Sequence, residues 1–214
     1  TTETKTGAVL ALIGGRDFRH SRLDRSRSER DLGSAIEPFI AAAVSERGKL
    51  VLPGKSLQMG RQIGPQEVAR IAKRLGLAGP FADSEDLFRG YLAASPRDAA
   101  TALATIGNDG KRPRLFFIRE VKSLTGELLY TGKSDHTQAI SENAAKDAGS
   151  ILKSTAGTKC LTGSTSSERD AWTLRLGPSG ATAIWIGFDQ PAPIASEARL
   201  NSLLTEFVKR LGND

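Results

Sequence analysis

A chain of 214 residues with 39% hydrophobic and 25% charged residues has the composition of a folded globular protein, which excludes wholesale disorder, and is long enough to bury a core of its own. No apolar run approaches the roughly 20 residues of a membrane span and the start lacks a basic-then-apolar signal pattern, so any membrane anchor is expected outside this chain. One cysteine, Cys160, excludes an internal disulfide, and two isolated histidines, His20 and His136, supply no ligand cluster, so neither a metal nor a cofactor is expected.

The balance of 30 Lys and Arg against 24 Asp and Glu gives +6, which favours anionic surroundings without choosing among them. In the densest basic stretch Arg16, Arg19, Arg22, Arg25, Arg27 and Arg30 alternate with Asp17, Asp24, Glu29 and Asp31. With no nucleic-acid motif beside it, this reads as a solvated loop with local ion pairs, and no nucleic-acid partner is expected.

In chain order, residues 7–15 predict a buried strand closed by the Gly14-Gly15 pair. A helix is expected from Ser34, with Ala35, Ile36, Phe39, Ile40 and Ala43 as its apolar stripe, ending near Arg47-Gly48. Gly64-Pro65-Gln66-Glu67 opens a second helix that Gly76 ends, and Ser95-Pro96 opens a third that runs to the turn at residues 107–110. Residues 115–118 and 127–130 bracket a turn at 123–126 and predict a hairpin. Residues 135–153 read as a helix. Strands follow at residues 160–162, 172–176 and 182–186, and an amphipathic helix at 196–211 carries Leu200, Leu203, Leu204, Phe207 and Val208. Helices in the middle and strands towards both ends predict an α+β fold whose antiparallel sheet unites the chain termini.

Gly7-Ala-Val-Leu-Ala-Leu-Ile-Gly-Gly-Arg-Asp-Phe18, continued by Asp24-Arg25-Ser26, Arg30 and Gly33-Ser34, resembles the entry to class A penicillin-binding transpeptidases. Ala104-Thr105-Ile106-Gly107-Asn108-Asp109-Gly110, Phe117-Ile118-Arg119, Gly126-Glu127-Leu128-Leu129-Tyr130, Asp170-Ala171-Trp172 and Ile184-Trp185-Ile186-Gly187-Phe188-Asp189 follow in that family's order, so the resemblance spans nearly the whole chain. It implies a five-stranded antiparallel sheet flanked by helices, with the active site between the sheet edge and a helical subdomain. It further implies one transpeptidase-like domain over residues 1–214, the carboxy-terminal part of a longer, membrane-anchored, extracytoplasmic protein with a glycosyltransferase domain upstream.

The family works through Ser-x-x-Lys, Ser-x-Asn and Lys-Thr-Gly, and all three are altered. Ser34 holds the nucleophile position, but Glu37 replaces the lysine in Ser34-Ala35-Ile36-Glu37. Ser56-Leu57-Gln58 carries Gln58 for asparagine and follows Ser34 at a short interval, so part of the active-site wall and of the helical subdomain is expected to be missing. In Leu161-Thr162-Gly163-Ser164, Leu161 replaces lysine. A serine hydroxyl needs a neighbouring base; Glu37 has the opposite charge and would repel a substrate carboxylate that a cation at 161 should hold.

Two roles are open to Ser34. Ser-x-x-Glu at a helix start is also a capping box, in which hydroxyl and carboxylate satisfy backbone donors, and the substitutions favour that reading. The backbone N–H groups at Ser34 and Ser164, which the family uses as an oxyanion hole, are expected to outlast the lost side chains. Lys55, beside Ser56, and Lys159, two residues before Leu161 and on the same strand face, are the candidates for a displaced base. The expectation is therefore a non-catalytic transpeptidase-like scaffold or binding module in peptidoglycan biosynthesis, with cell-wall polymer or assembly proteins as partners. The competing reading is an active serine D,D-transpeptidase or carboxypeptidase with relocated lysines.

Overall fold

The computed structural model describes all residues except 53, 156–157, 179, 195–205 and 207–214. In chain order the elements are β1 (Thr2–Glu3), β2 (Arg30–Asp31), α1 (Glu37–Glu46), α2 (Ser56–Ile63), α3 (Pro65–Leu75), β3 (Ala93–Ala94), α4 (Pro96–Gly107), β4 (Lys111–Pro113), β5 (Glu120–Lys122), β6 (Leu128–Thr131), β7 (His136–Gln138), α5 (Glu142–Ser150), β8 (Lys153–Thr155), β9 (Thr158–Ser164), β10 (Asp170–Leu176) and β11 (Gly180–Gly187). A five-stranded sheet in the order β1-β11-β10-β9-β8, antiparallel throughout, packs against the described helices through the face that carries Trp172 and Leu174. This is the expected α+β architecture, with the amino-terminal strand beside the last described one.

The core forms around α1. Phe39, Ile40, Ala41, Ala42, Ala43 and Val44 are all fully buried, so the helix is apolar on every side, as an internal helix must be. Its run of alanines lets α2, α3 and α5 approach closely, and Gly60 of α2 meets Ile40 and Phe88 where a side chain would collide. The sheet contributes Trp172 and Leu174 from the face of β10 that looks towards the helices. Burying such a side chain contributes about 1.5–3 kcal/mol, which fixes the register of β10 because a one-residue slip would turn both to the opposite face.

Local signals behave as their chemistry requires. Pro65 starts α3, Gly76 ends it at φ 114°, and its N–H caps the Ala72 and Lys73 carbonyls. Ser95 caps α4 by accepting from the Asp98 N–H at 3.1 Å, and Ser141 caps α5 through the Ala144 N–H at 3.2 Å.

Three expectations need correction. Residues 7–15 do not form a strand: Thr2–Glu3 takes the edge of the sheet, a tight turn brings Val9 back to Thr2 as an isolated bridge while Ala8 bridges Phe116, and Leu10 and Ile13 are 46% and 81% exposed. Competition for one sheet edge decided this, and the ladder of β11 is satisfied by Thr2 and Glu3. The hairpin exists but starts later, as β5 and β6, because Phe116 N–H donates to Gly7 O and Phe116 O accepts from Val9 N–H. The helix predicted over 135–153 is confined to α5, since residues 136–138 pair with β4. The two-residue pairing of β2 with β3 had no signal in the sequence. The helix predicted over 196–211 lies outside the described residues.

Candidate functional site

Ser34 sits in a 3-10 turn, Gly33–Ile36, that leads directly into α1. The turn is clamped between two other backbones. Gly33 adopts φ 54° and its N–H donates to Gly90 O at 3.1 Å, while a Cβ on Gly33 would run into the Ser164 carbonyl. Gly163 on β9 lies flat against Ala35: a Cβ there would fall 2.9 Å from Ala35 Cα and closer still to its nitrogen. Glycine at both positions lets β9 approach the nucleophile turn at backbone distance. Asp31, at the turn's entry, is held by its own carbonyl, which accepts the indole N–H of Trp172 at 2.8 Å.

The consequence is a short contact between two motifs 130 residues apart: the Ser164 N–H donates to Ser34 Oγ at 3.1 Å. The cap expected of Ser34 and Glu37 does not form, because neither the 3-10 turn nor α1 has a side-chain cap. The turn tightens before the helix begins and presents Ser34 to β9 instead of to the helix's own donors. The Ser34 N–H has no backbone acceptor among the described residues. Of the two main-chain donors expected to form an oxyanion hole, the Ser164 N–H is therefore occupied by the serine oxygen itself.

Leu161 is partly buried and packs against the core, on the same face of β9 as Gly163, so no cation projects from that position. Glu37, one turn after Ser34, is half-buried, and no ion-pair or hydrogen-bond partner of its carboxylate occurs among the described residues. Neither displaced lysine lies within hydrogen-bonding distance of Ser34. Lys55 is exposed, and the Lys159 ammonium lies against Gly149 of α5, 3.5 Å from where that residue would carry a Cβ. Ser56, the first residue of α2, is 1% exposed with a hydroxyl that has no partner among the described residues, while Gln58 turns to solvent. Thr162 points to the face of β9 opposite Leu161 and Gly163. On that face burial pushes the Cys160 thiol above its ordinary range, against a smaller opposing pull from Arg175.

The surroundings mix anions and cations. Asp31 is raised from the usual carboxylate range, first by burial and then by the neighbouring Asp170, whose oxygen accepts the Trp185 indole N–H at 2.9 Å. Both line a cleft of about 220 Å³ together with Glu29, Arg30, Arg89 and Arg169. Arg30 is engaged within it, 4.9 Å over the Trp185 ring, and Arg89 pairs with Asp86 at 3.2 Å. The Asp31–Trp172 bond and the Gly33–Gly90 clamp escape sequence reasoning, since each joins segments dozens of residues apart through main-chain atoms.

No protein-family profile matches the chain. Among curated proteins it is 25% identical over 187 residues to penicillin-binding protein 2D of Bacillus subtilis, covering 67% of this chain and 27% of that protein. It is 24% identical over 255 residues to penicillin-binding protein 1A of Neisseria lactamica, covering 88% and 32%. The chain spans about a third of the length of these relatives. An alignment of 255 positions also exceeds a chain of 214 residues, so the relative carries segments with no counterpart here. Among solved structures, penicillin-binding protein 1A of Haemophilus influenzae superposes with a TM-score of 0.80 at 18% identity, over 92% of this chain and 44% of that one. The PonA1 protein of Mycobacterium tuberculosis in complex with penicillin V gives 0.77 at 20%, over 92% and 70%. The relatives and structural neighbours of this chain are penicillin-binding proteins, and its fold is that of a penicillin-binding transpeptidase domain.

Proposed function

We propose that this chain is a non-catalytic penicillin-binding-like module that serves as a scaffold or peptide-binding element in peptidoglycan assembly. The observation that carries the reading is the environment of Ser34: its hydroxyl accepts from the Ser164 N–H, and neither Lys55 nor Lys159 reaches it. A hydroxyl that receives a hydrogen bond and has no base is a poor nucleophile, and loss of a positioned base costs about 10²–10⁴ in rate. Leu161 removes a second cation, one that would hold a substrate carboxylate. The same reading makes residues 1–214 one domain of a longer extracytoplasmic protein, anchored and joined to a glycosyltransferase outside this chain, with cell-wall polymer or assembly proteins as partners. No helix among the described residues is long and apolar enough to cross a membrane.

Incubation with a fluorescent penicillin, followed by gel imaging and intact-mass measurement, tests this directly. The expected result is no covalent adduct. A stoichiometric adduct mapped to Ser34 would overturn the reading in favour of an active serine acyltransferase, for which the paired Ser34 and Ser164 N–H groups are the supporting feature.

A further inference from the structure

We propose that the groove between β11 and residues 11–13 is a strand position of the sheet, which takes up an extended, uncharged and apolar segment of the longer protein running into Thr1. The domain would then join what precedes it through its sheet and not through a flexible tether. The proposal rests on the part of the reading above that makes residues 1–214 one domain of a longer protein, and is independent of whether Ser34 reacts.

Thr2 and Glu3 satisfy the ladder of β11 only at Ala181 and Gly180, whereas β11 continues to Gly187. From Ala183 to Gly187 its outer edge therefore pairs with no strand among the described residues. On its other side β1 meets the returning chain. Thr2 bridges Val9, the Leu10 N–H donates to Thr1 O at 3.0 Å, and the Thr1 nitrogen donates to Ala11 O at 2.8 Å. β1 thus holds β11 and residues 9–11 two strand spacings apart, about 9–10 Å. Beyond Thr1 both walls continue, with a cavity of about 570 Å³ between them. An uncovered edge that carries backbone donors and acceptors recruits an added strand, and here a single strand meets a wall on each side.

The lining sets the chemistry of the occupant. Leu12 and Ile13 stand on one wall, Ile184 and Ile186 on the other, and Pro96 and Ala100 of α4 complete the groove. Its two cations are already paired, Arg25 with Asp189 at 2.5 Å and Arg97 with Asp98 at 3.3 Å, so an uncharged segment fits best. Leu12 and Ile13 are 41% and 81% exposed; a strand in the groove covers them and supplies the pairing that their apolar run calls for. The edge strand of a second copy is backed by its own sheet, which is too wide for a gap of one strand. A segment continuous with Thr1 enters in register with β1, at the high effective concentration that covalent attachment confers. Relatives of which this chain covers 27% and 32% carry the additional polypeptide that such a segment requires.

Hydrogen–deuterium exchange read by mass spectrometry tests this on the 214-residue chain and on two extended forms, in which Val-Ala-Val-Ala-Val or Val-Pro-Val-Pro-Val precedes Thr1. Proline has no N–H to give to a ladder. The alanine extension should slow exchange in residues 11–13 and 183–187 by about tenfold or more and raise Tm, while the proline extension does neither. Unchanged exchange with the alanine extension, or equal slowing by the proline one, overturns the strand position. In the longer natural protein the same two stretches should be protected. Rapid exchange there, with the effect of the alanine extension retained, overturns the assignment to the preceding segment. A 214-residue chain that dimerises with both stretches already protected gives the groove to a second copy and overturns it equally. Labelling of the same samples with a fluorescent penicillin reports failure of the non-catalytic reading separately.

Discussion

Restoring a cation at position 37 should return measurable acylation to this fold. Ser34 is solvent-exposed, its hydroxyl is positioned by the Ser164 N–H, and residue 37 lies one turn further along at the start of α1, so Glu37→Lys sets the lysine Cβ about 5–6 Å from the serine Cβ with a side chain long enough to bring its amine to the hydroxyl. A positioned base contributes about 10²–10⁴ in rate. Replacing an anion by a cation also converts repulsion of a β-lactam carboxylate into attraction, about 0.7–2.8 kcal/mol for each unit of charge at this distance. Because Glu37 is only half-buried, an ammonium there stays hydrated enough to form. The apparent second-order rate of labelling by a fluorescent penicillin should rise at least about 10²-fold over the parent, remaining short of full activity because Leu161 still offers no carboxylate clamp. Stopped-time gel fluorescence with Ser34→Ala/Glu37→Lys as the silent control gives the measurement. If the folded Glu37→Lys protein labels no faster than the parent, the missing base is not what silences Ser34, and the shortened active-site wall is the cause instead.

Two further outcomes follow from the same geometry. Gly163→Ala sets a methyl group 2.9 Å from Ala35 Cα, where only backbone can yield; overpacking of this kind costs about 1–3 kcal/mol, or about 2–12 °C in Tm for a chain of this size, and an unchanged Tm would disprove the tight approach of β9 to the nucleophile turn. Asp31 is held above its ordinary range by burial and by Asp170, so the native state binds its proton more tightly than the unfolded state does. Stability from this group is fully present below its unfolded value and is lost as pH rises through the raised folded value. Asp31→Asn should accordingly raise Tm at neutral pH, with the gain vanishing as pH is lowered below about 4; a gain that persists at low pH, or a loss at neutral pH, would contradict this.

The sequence carried the parts of this protein that local chemistry dictates. Pro65 and Gly76 delimit α3 and Ser95 caps α4, because in both cases the deciding interactions lie within a few residues. The order of motifs likewise pointed to the transpeptidase fold, and the replacements at 37, 58 and 161 can be read directly as lost charge or altered shape.

Whatever depended on partners far along the chain was settled only by tertiary structure. The apolar run at residues 7–15 has a strand's pattern, yet Thr2 and Glu3 hold the sheet edge. Ser-x-x-Glu has a cap's pattern, yet a 3-10 turn clamped by Gly90 and Ser164 turns the hydroxyl towards β9. Lys159 lies on the correct strand face, yet α5 draws its ammonium away. Composition and periodicity fix which residues are apolar, which are charged and where turns begin. Which backbone donor meets Ser34, and which lysines do not, depends on three segments brought together by glycines that permit contact at backbone distance, and that juxtaposition exists only once the chain has folded.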